Sequence, residues 1–169
     1  FDSCSSMTSV TIPKSVTSIG TTAFGFCDSL TDITVDPLNS FYSSVDGVLF
    51  NKSQTTLIQC PGGKAGSYTV PDSVTNIGSS AFVVCRSLTG VTVGTNVTSI
   101  GDHAFAVCTG LTNATIGTNV TSIGNYAFYV CTSLTSITIP NKVISIGGYA
   151  FGGCSSLTSA TIGTNVTSI

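Results

Sequence analysis

The chain has little charge. Only 7% of its 169 residues are charged, it contains no glutamate, and its formal net charge is −2, whereas soluble domains typically carry about 25% charged residues. The five Lys and Arg residues form no basic cluster, and such a cluster is what captures nucleic acid or an anionic membrane. We therefore expect neither as a partner, and solubility must come from Ser, Thr, Asn and Gly or from groups attached to them.

Long apolar runs are also missing. No run approaches the ~20 residues that a transmembrane helix requires, so membrane insertion of this segment is not expected. At 41% hydrophobic content, 169 residues suffice for one buried core. No signal peptide precedes Phe1, which fits a mature chain or a fragment of a longer one.

Repetition is what the chain has in abundance. Gly101, Gly124 and Gly147 are 23 residues apart, and a fixed period of this size indicates a solenoid of stacked coils. The pair Ala-Phe repeats with them, at 23–24, 81–82, 104–105, 127–128 and 150–151. We therefore interpret residues 1–169 as a single solenoid.

Each unit contains two kinds of apolar spacing. In the unit 124–146, Ile137 and Ile139 alternate with polar residues, which predicts a strand with these two side chains facing inward. Ala127, Phe128 and Cys131 are three to four residues apart, which predicts a short helical or 3₁₀ turn on the opposite side. The predicted fold is an α/β repeat with 23-residue coils, a parallel sheet on one face and short helical or 3₁₀ turns on the other.

One segment breaks the period. From Gly20 to Gly78 there is one unit plus an enlarged irregular coil, centred on residues 36–70, in which Val45–Asn51 and Thr55–Cys60 flank a predicted hairpin turn. The predicted divisions are a partial repeat 1–19, a full repeat from 20, the irregular coil 36–77, and regular repeats 78–100, 101–123, 124–146 and 147–169.

The repeated motifs resemble a known family. Leu-Thr-Ser-Ile-Thr-Ile at 134–139 has the form L-x-x-L-x-L of leucine-rich repeats. With Ile-Gly-x-x-Ala-Phe-x-x-Cys at 123–131, the unit looks like the BspA-like class of these repeats. The resemblance covers essentially the whole chain. It implies surface or secreted adhesion and interaction proteins of mucosal bacteria and protozoa, without catalytic residues.

Six of the seven cysteines share one position of the repeat. An inward column of thiols at one position is expected to be buried and free, because free Cys is among the most buried residue types. Disulfides between neighbouring coils remain the alternative, and a zinc site is disfavoured because no C-x-x-C pair or His cluster exists. The column is Cys4, Cys27, Cys85, Cys108, Cys131 and Cys154, while Cys60 lies in the irregular coil.

The sequence contains five N-x-[ST] sequons, which predict N-glycosylation if the chain is secreted. Three of them share the corner position that follows the strand, where other copies have Pro with Ser or Lys in place of Asn. The two solutions suggest that the corner Asn is not required for folding. The candidate glycosylation sites are Asn51, Asn96, Asn113, Asn119 and Asn165.

A column of Thr residues marks the outward face of the predicted strands. Such a face could bind a flat or repetitive ligand through aligned hydroxyls, although Thr is also simply the polar residue best suited to a solvated strand. We favour the second interpretation, because binding faces are richer in aromatics and Arg. The column is Thr11, Thr34, Thr92, Thr115, Thr138 and Thr161.

No catalytic constellation is recognisable. His103 is interpreted as a solvated surface residue, and an enzyme would have to use Asp46, Lys52 and Lys64 of the irregular coil, for which no roles are evident. No cofactor or metal is expected. We predict a non-catalytic extracellular or cell-surface interaction, adhesion or structural module that is N-glycosylated and whose protein or glycan ligand is unidentified. The alternative is a protomer that self-associates end to end into a glycosylated fibre through uncapped coil faces.

Overall fold

The solenoid is built from fourteen short β-strands and contains no helix. A computed structural model describes residues 1–169. In chain order the strands are β1 (Ser9–Ile12), β2 (Asp32–Val35), β3 (Tyr42–Val45), β4 (Val48–Asn51), β5 (Thr56–Gln59), β6 (Gly66–Thr69), β7 (Asn76–Ile77), β8 (Leu88–Thr92), β9 (Ser99–Ile100), β10 (Asn113–Thr115), β11 (Ser122–Ile123), β12 (Ser136–Thr138), β13 (Ser145–Ile146) and β14 (Ser159–Thr161).

The regular coils 78–100, 101–123 and 124–146 each contribute one strand to each of two sides. The first side, here called the strand face, carries the parallel sheets β1–β2, β6–β8–β10 and β12–β14. The second side carries one seven-stranded sheet with the order β13-β11-β9-β7-β5-β4-β3. The predicted period is present in the pairing, since Ser122 lies opposite Ser99 and Ser145, 23 residues away in each direction.

The predicted helical or 3₁₀ turns are wrong. In place of a helix, each Gly-x-x-Ala-Phe-x-x-Cys segment makes consecutive tight turns, with Val83 N–H donating to Ser80 C=O and Cys85 N–H to Phe82 C=O. The alternate amides point along the solenoid axis, as when Phe82 N–H donates to Ala104 C=O of the next coil at 2.7 Å. In a helix these amides would donate to carbonyls four residues earlier in the same segment. In the stacked coils they donate to carbonyls of the next coil. We call this side the turn face.

Two residues in each turn-face segment have a left-handed backbone conformation. Because an α-helix needs right-handed φ values at every residue, these two residues prevent a helix. They lie two positions before and two positions after each Phe, as Tyr126 (φ 55°) and Val130 (φ 58°) do around Phe128. A β-branched residue rarely adopts such a φ, because its Cβ approaches the following carbonyl oxygen. Stacking on both neighbours holds Val130 in this conformation.

The irregular coil contains two hairpins. Asp46 (φ 49°) and Gly47 (φ 77°) form a two-residue turn between β3 and β4, which is the primed turn favoured by the twist of antiparallel strands. The predicted hairpin follows, because β4 pairs antiparallel with β5 around Lys52–Thr55. Strand β5 then runs parallel to β7, so the hairpins extend the second sheet directly.

The hydrophobic core runs along the axis and is divided at β4. A cluster of 32 buried residues extends from Val48 to Ala150, and a separate cluster of 7 includes Phe24 and Leu49. Val48, Leu49 and Phe50 are all 0% exposed, because successive residues of the strand point into different clusters. The central stack, here called the inner phenylalanine column, is Phe82, Phe105, Phe128 and Phe151 with ring centroids 4.7, 4.9 and 5.2 Å apart.

The coils approach each other most closely at the repeated glycines. A Cβ placed on Gly101 would lie 2.7 Å from the backbone N of Ser79, and one on Gly124 would lie 2.6 Å from the backbone N of Asp102. No real Cβ tolerates such contacts, so only glycine fits. The glycine of each regular repeat therefore sets the coil-to-coil distance beside the turn face.

Candidate functional site

The strand face presents the predicted Thr column in register. All six members are exposed, and they pair as Thr11 with Thr34, Thr92 with Thr115, and Thr138 with Thr161. Thr69 of the irregular coil pairs with Thr92 and continues the column, an addition that the sequence did not predict. The structure therefore aligns hydroxyls along the axis of the solenoid.

These hydroxyls differ from those of the other Thr residues. Thr112 and Thr158, near the start of the same strand-face segments, donate to the carbonyls of Thr89 and Thr135 in the preceding coil at 2.9 and 3.1 Å. In the strand-face column only Thr34 makes an internal side-chain bond, to Asp32 at 2.9 Å. The remaining column hydroxyls are free for solvent or a ligand. The strands of this face carry no Arg, and their one aromatic residue, Tyr68 of β6, is half-buried and packs on Phe82.

The turn face carries a second stack of aromatic rings. His103 stacks on Tyr126 with ring centroids 5.0 Å apart, and Tyr126 stacks on Tyr149 at 5.3 Å. We call these three residues the outer aromatic column. Tyr129 meets Tyr126 edge to face at 5.3 Å, and Tyr149 is 70% exposed. His103 is thus a stacked surface residue. Cys108, the cysteine that follows it in the sequence, is fully buried.

A cleft of about 440 Å³ opens at the N-terminal end of this column. Its residues come from the coils on both sides of the irregular coil, and none of them carries a formal charge. They are Thr22, Phe26, Ser80, Val83, His103, Ala106, Val107, Tyr126 and Tyr129. A volume of this size is within the range of small-ligand pockets, about 300–1,000 Å³.

A polar groove of about 640 Å³ runs beside the column. It is lined by the serines of β9, β11 and β13 and by the repeated glycines. Along its edge, Asp102 accepts a hydrogen bond from the Asn125 amide at 2.7 Å, and Asn125 accepts one from the Gly148 amide at 2.9 Å. These two hydrogen bonds join successive coils along the edge of the groove.

Two of the three corner asparagines hydrogen-bond to the preceding coil, whereas Asn165 does not. Asn96 Nδ2 donates to the Asp72 carbonyl at 2.8 Å, and Asn119 Nδ2 donates to the Thr95 carbonyl at 2.7 Å. Lys142, which replaces Asn in the next copy, donates to Asn119 at 2.6 Å. The corner is therefore a ladder of hydrogen bonds between coils.

The other sequons differ in how their amides are used. Asn51 organises the hairpin turn, since its Nδ2 donates to Thr55 Oγ1 at 2.9 Å and its Oδ1 accepts from the Thr56 amide. Asn113 and Asn165 are exposed and make no side-chain hydrogen bond within the chain. Asn113 lies on β10 beside the Thr column, so a glycan there would cover part of the strand face.

The cysteine column lies along the core. Cys27, Cys85, Cys108 and Cys131 are 0% exposed, Cys4 and Cys154 are half-buried, and all are present as free thiols. The thiol of Cys108 donates to the Phe82 carbonyl at 3.0 Å, and that of Cys131 to the Phe105 carbonyl at 3.2 Å. Burial raises the pKa of the Cys108 thiol, which keeps it protonated and unreactive. Cys60 is buried as well.

The residues considered for an enzyme have structural contacts. Lys64 Nζ donates to the Asp46 backbone carbonyl at 2.6 Å and lies 6.0 Å from the Tyr68 ring, and Lys52 Nζ donates to the Pro37 carbonyl at 3.1 Å. No group of His, Cys and Asp side chains is arranged to hold a metal ion. The structure has no helix that could cross a membrane.

Comparison with known proteins assigns the family. The sequence profile of the BspA-type leucine-rich repeat region matches residues 1–65 and 62–169 in six copies. The chain belongs to the BspA-type leucine-rich repeat family. Proteins of this architecture are generally non-catalytic scaffolds for interactions, which agrees with the resemblance noted in the sequence. No significant relative is found among curated protein sequences.

Solved structures of bacterial leucine-rich repeat proteins are similar to this BspA-type chain. The pneumococcal vaccine antigen PcpA is 32% identical with a TM-score of 0.90, over 94% of this chain and 40% of PcpA. A leucine-rich cell-surface protein of Faecalibacterium prausnitzii is 30% identical with a TM-score of 0.72, over 92% and 48% of the two chains. The chain therefore spans less than half the length of either relative.

The aromatic residues of the turn face are the site that the sequence interpretation missed. They occupy outward positions beside the Ala-Phe pairs, where the repeat itself requires no particular side chain. The available signal was His103, Tyr126 and Tyr149 at the same position of three consecutive copies. A 23-residue period places such residues one above another, so the stack could have been predicted.

Proposed function

We propose that this chain is a non-catalytic interaction module of an extracellular or cell-surface protein. One observation carries the proposal. The inward positions repeat Phe from coil to coil, whereas the outward position two residues earlier changes through Thr22, Ser80, His103, Tyr126 and Tyr149. In a scaffold, the inward side chains hold the stack and the outward ones are free to differ. The relative from F. prausnitzii is described as a cell-surface protein, which supports the location.

Surface exposure and adhesion can be tested together. Antibodies against the purified chain should label intact cells of the source organism, and external protease should remove the label. Beads coated with the chain should adhere to host epithelial cells above the level of albumin-coated beads. Labelling that requires permeabilisation of the cells would contradict the location, and equal adhesion of both bead types would contradict the adhesive role.

We further propose that the chain is N-glycosylated, first at Asn113 and Asn165. These two amides are exposed and unbonded within the chain, whereas the other three sequons use theirs to hold turns and corners. Intact mass before and after enzymatic deglycosylation should differ, and Asn113→Gln and Asn165→Gln should each remove one glycan. An unchanged mass in protein from the native source would contradict this proposal.

A further inference from the structure

The cleft on the turn face exists because the irregular coil contributes no aromatic ring to either column. The Cys60 amide donates to the Ala81 carbonyl at 2.6 Å, just as the Phe82 amide donates to the Ala104 carbonyl in the next coil. Cys60 therefore takes the place of a column Phe. Gly62 follows nearby, and a Cβ there would lie 2.8 Å from the Cys27 carbonyl oxygen. A side chain at position 62 would clash with the backbone of the preceding coil, so the gap follows from the conformation of the irregular coil.

Aromatic rings stand at the two ends of the cleft. Phe26, 45% exposed, belongs to the coil that precedes the irregular coil, and Tyr129, 37% exposed, belongs to the third regular coil after it, four coil spacings or ~19 Å away. The stacking of His103 on Tyr126 leaves the other ring face of His103 directed toward the coil of Ser80, which is small. The floor is apolar and closed, since Val83 is 8% and Ala106 is 3% exposed. The cleft thus offers flat apolar faces to a flat ligand.

Hydroxyl groups surround these apolar faces. Tyr42 is the one tyrosine whose hydroxyl takes part in a hydrogen bond within the chain, so the phenol groups of Tyr126 and Tyr129 are available to a ligand. Thr22 adds an aliphatic hydroxyl, whereas Ser80 is only 6% exposed and belongs to the floor of the cleft. The lining contains no carboxylate, Lys or Arg, and an ionic ligand would lose its hydration without a compensating charge.

We infer that this cleft binds a neutral pyranose sugar, as a terminal residue of a glycan. A pyranose has apolar C–H faces that pack on aromatic rings and equatorial hydroxyls that pair with hydroxyl groups at the rim. The electron-rich faces of aromatic rings favour such C–H contacts. The inference rests on the proposed function, because it names the class of ligand that the interaction module takes.

The size of the cleft favours a sugar over a protein partner or a second copy of the chain. Nine residues line it, whereas a stable protein interface uses about 20–30 residues on each side. A volume of about 440 Å³ accommodates one or two pyranose rings. An uncharged cleft with aromatic side chains in its lining is typical of a small-ligand site.

Saturation-transfer-difference NMR and calorimetry on the full chain test this inference. The probes are glucose, galactose, mannose and N-acetylglucosamine, with their disaccharides, each at up to about 10 mM because single-sugar sites are weak. We expect ring-proton signals from at least one probe. A probe that stacks at one end of the cleft should bind at least tenfold more weakly to the variant at that end, Phe26→Ala or Tyr129→Ala. At the Phe26 end, Phe26→Leu should do the same because it keeps the apolar volume but removes the ring face.

Two matched controls locate the site. Tyr149→Ala removes an exposed tyrosine of the same turn face outside the cleft, and Thr138→Ala alters the strand face. Both should change the Kd less than twofold. Circular dichroism and thermal melting of every variant confirm that the fold is intact, which is expected because Phe26 and Tyr129 are exposed.

Several results would overturn the inference, and they differ from failure of the proposed function. No binding of any probe, or binding that survives Phe26→Ala and Tyr129→Ala, would exclude the cleft as a sugar site. Loss of binding in Thr138→Ala alone would move the ligand to the strand face. A protein partner lost in the cleft variants, with no sugar bound, would assign the cleft to protein recognition. The surface-labelling and adhesion experiments would remain unaffected in each case.

Discussion

Two aromatic columns run side by side in this solenoid, two residues apart in three consecutive coils. The inner phenylalanine column has ring spacings of 4.7–5.2 Å, and the outer aromatic column has spacings of 5.0 and 5.3 Å. The geometry is nearly the same, but the surroundings are opposite. Phe105 is 0% exposed and Tyr149 is 70% exposed.

The comparison shows that stacking by itself does not decide what a ring does. The repeat places any side chain above its counterpart in the previous coil, so both columns stack as a consequence of backbone period. Free energy of folding follows the apolar area removed from water, and the inner column removes nearly all of its area. The outer column keeps ring faces and edges available, so we expect it to contribute to binding more than to stability.

The largest expected effect separates the two columns directly. Phe105→Ala should lower the free energy of unfolding by about 3–5 kcal/mol, because it opens a cavity between two stacked rings. Tyr149→Ala should lower it by no more than about 1.5 kcal/mol, because its ring is 70% exposed and stacks on one neighbouring ring only. Urea denaturation followed by circular dichroism measures both. Equal losses would contradict the assignment of stability to the inner column.

A second test concerns the spacing that both columns share. Gly124→Ala would place a Cβ 2.6 Å from backbone atoms of the preceding coil, and forcing the coils apart should cost about 1–3 kcal/mol. Gly20→Ala is the matched control, since nothing lies within 4 Å of its Cβ. That substitution should be neutral or stabilise by up to about 1 kcal/mol, because it restricts the unfolded chain. If Gly124→Ala is as mild as Gly20→Ala, the glycines do not set the spacing.

The thiols beside the inner column predict a pH dependence. Burial raises the pKa of Cys108 above its ordinary value of 9.0, so the folded state keeps the proton that the unfolded state releases. The stabilisation is therefore fully present below pH 9 and is lost above it, by about 1.4 kcal/mol per pH unit for each such thiol.

Unfolding curves at pH 7, 9 and 10 measure this slope. Cys108→Ala should reduce the loss between pH 9 and 10 by the share of one thiol. Burial also raises the pKa of Cys27, so the variant should retain the rest of the dependence. A slope that is unchanged in Cys108→Ala would mean that this thiol ionises equally in both states.

The smallest expected effect concerns the turn that follows the inner phenylalanine column. Val130 has a φ of 58°, and the next copy has Gly153 at the same position with a φ of 73°. Val130→Gly should change the free energy of unfolding by less than about 1 kcal/mol, because relief of the left-handed conformation offsets lost packing and added chain entropy.

Val143→Gly provides the contrast for this test. Val143 is 0% exposed and has no positive φ, so its truncation should cost at least about 2 kcal/mol. Thermal melting compares the two variants. If Val130→Gly were as costly as Val143→Gly, the turn would depend on the Val side chain and not on its backbone conformation.

Much of the fold could be predicted because the sequence repeats the same pattern of apolar residues in every regular unit. The alternation of Ile137 and Ile139 predicted a strand with both side chains inward, and they are 4% and 2% exposed. The turn could not be assigned in the same way. Ala127, Phe128 and Cys131 share the spacing of one helical face, but consecutive tight turns place side chains on one side as well. Only the direction of the amides distinguishes the two, and that direction depends on the neighbouring coil.

One local feature was readable and was passed over. Asp46-Gly47 is a strong signal for a two-residue hairpin, yet the sequence interpretation kept Val45–Asn51 as one strand. The structure turns the chain there and pairs β3 with β4. This extra hairpin is why the irregular coil is enlarged while it still delivers β5 and β6 to the two sides of the solenoid.

The candidate site shows the limit of sequence reasoning more clearly. The Thr column was predicted residue by residue, since a strict period fixes which side chains align. The cleft joins Phe26 with Tyr129 across an insertion of irregular length, and no period relates these two residues. That both line one cleft depends on how the irregular coil folds, which a periodic pattern does not describe.

The sequence by itself determined the solenoid, its period, its family and the identity of the inward side chains, because each of these is written into a repeated unit. Tertiary structure alone decided the conformation of the turns, the use of corner asparagines as hydrogen-bond donors, and the cleft beside the outer aromatic column. The physical reason is the same in each case. Amides, carbonyls and ring faces are satisfied by the next coil, so their roles exist only once the coils are stacked.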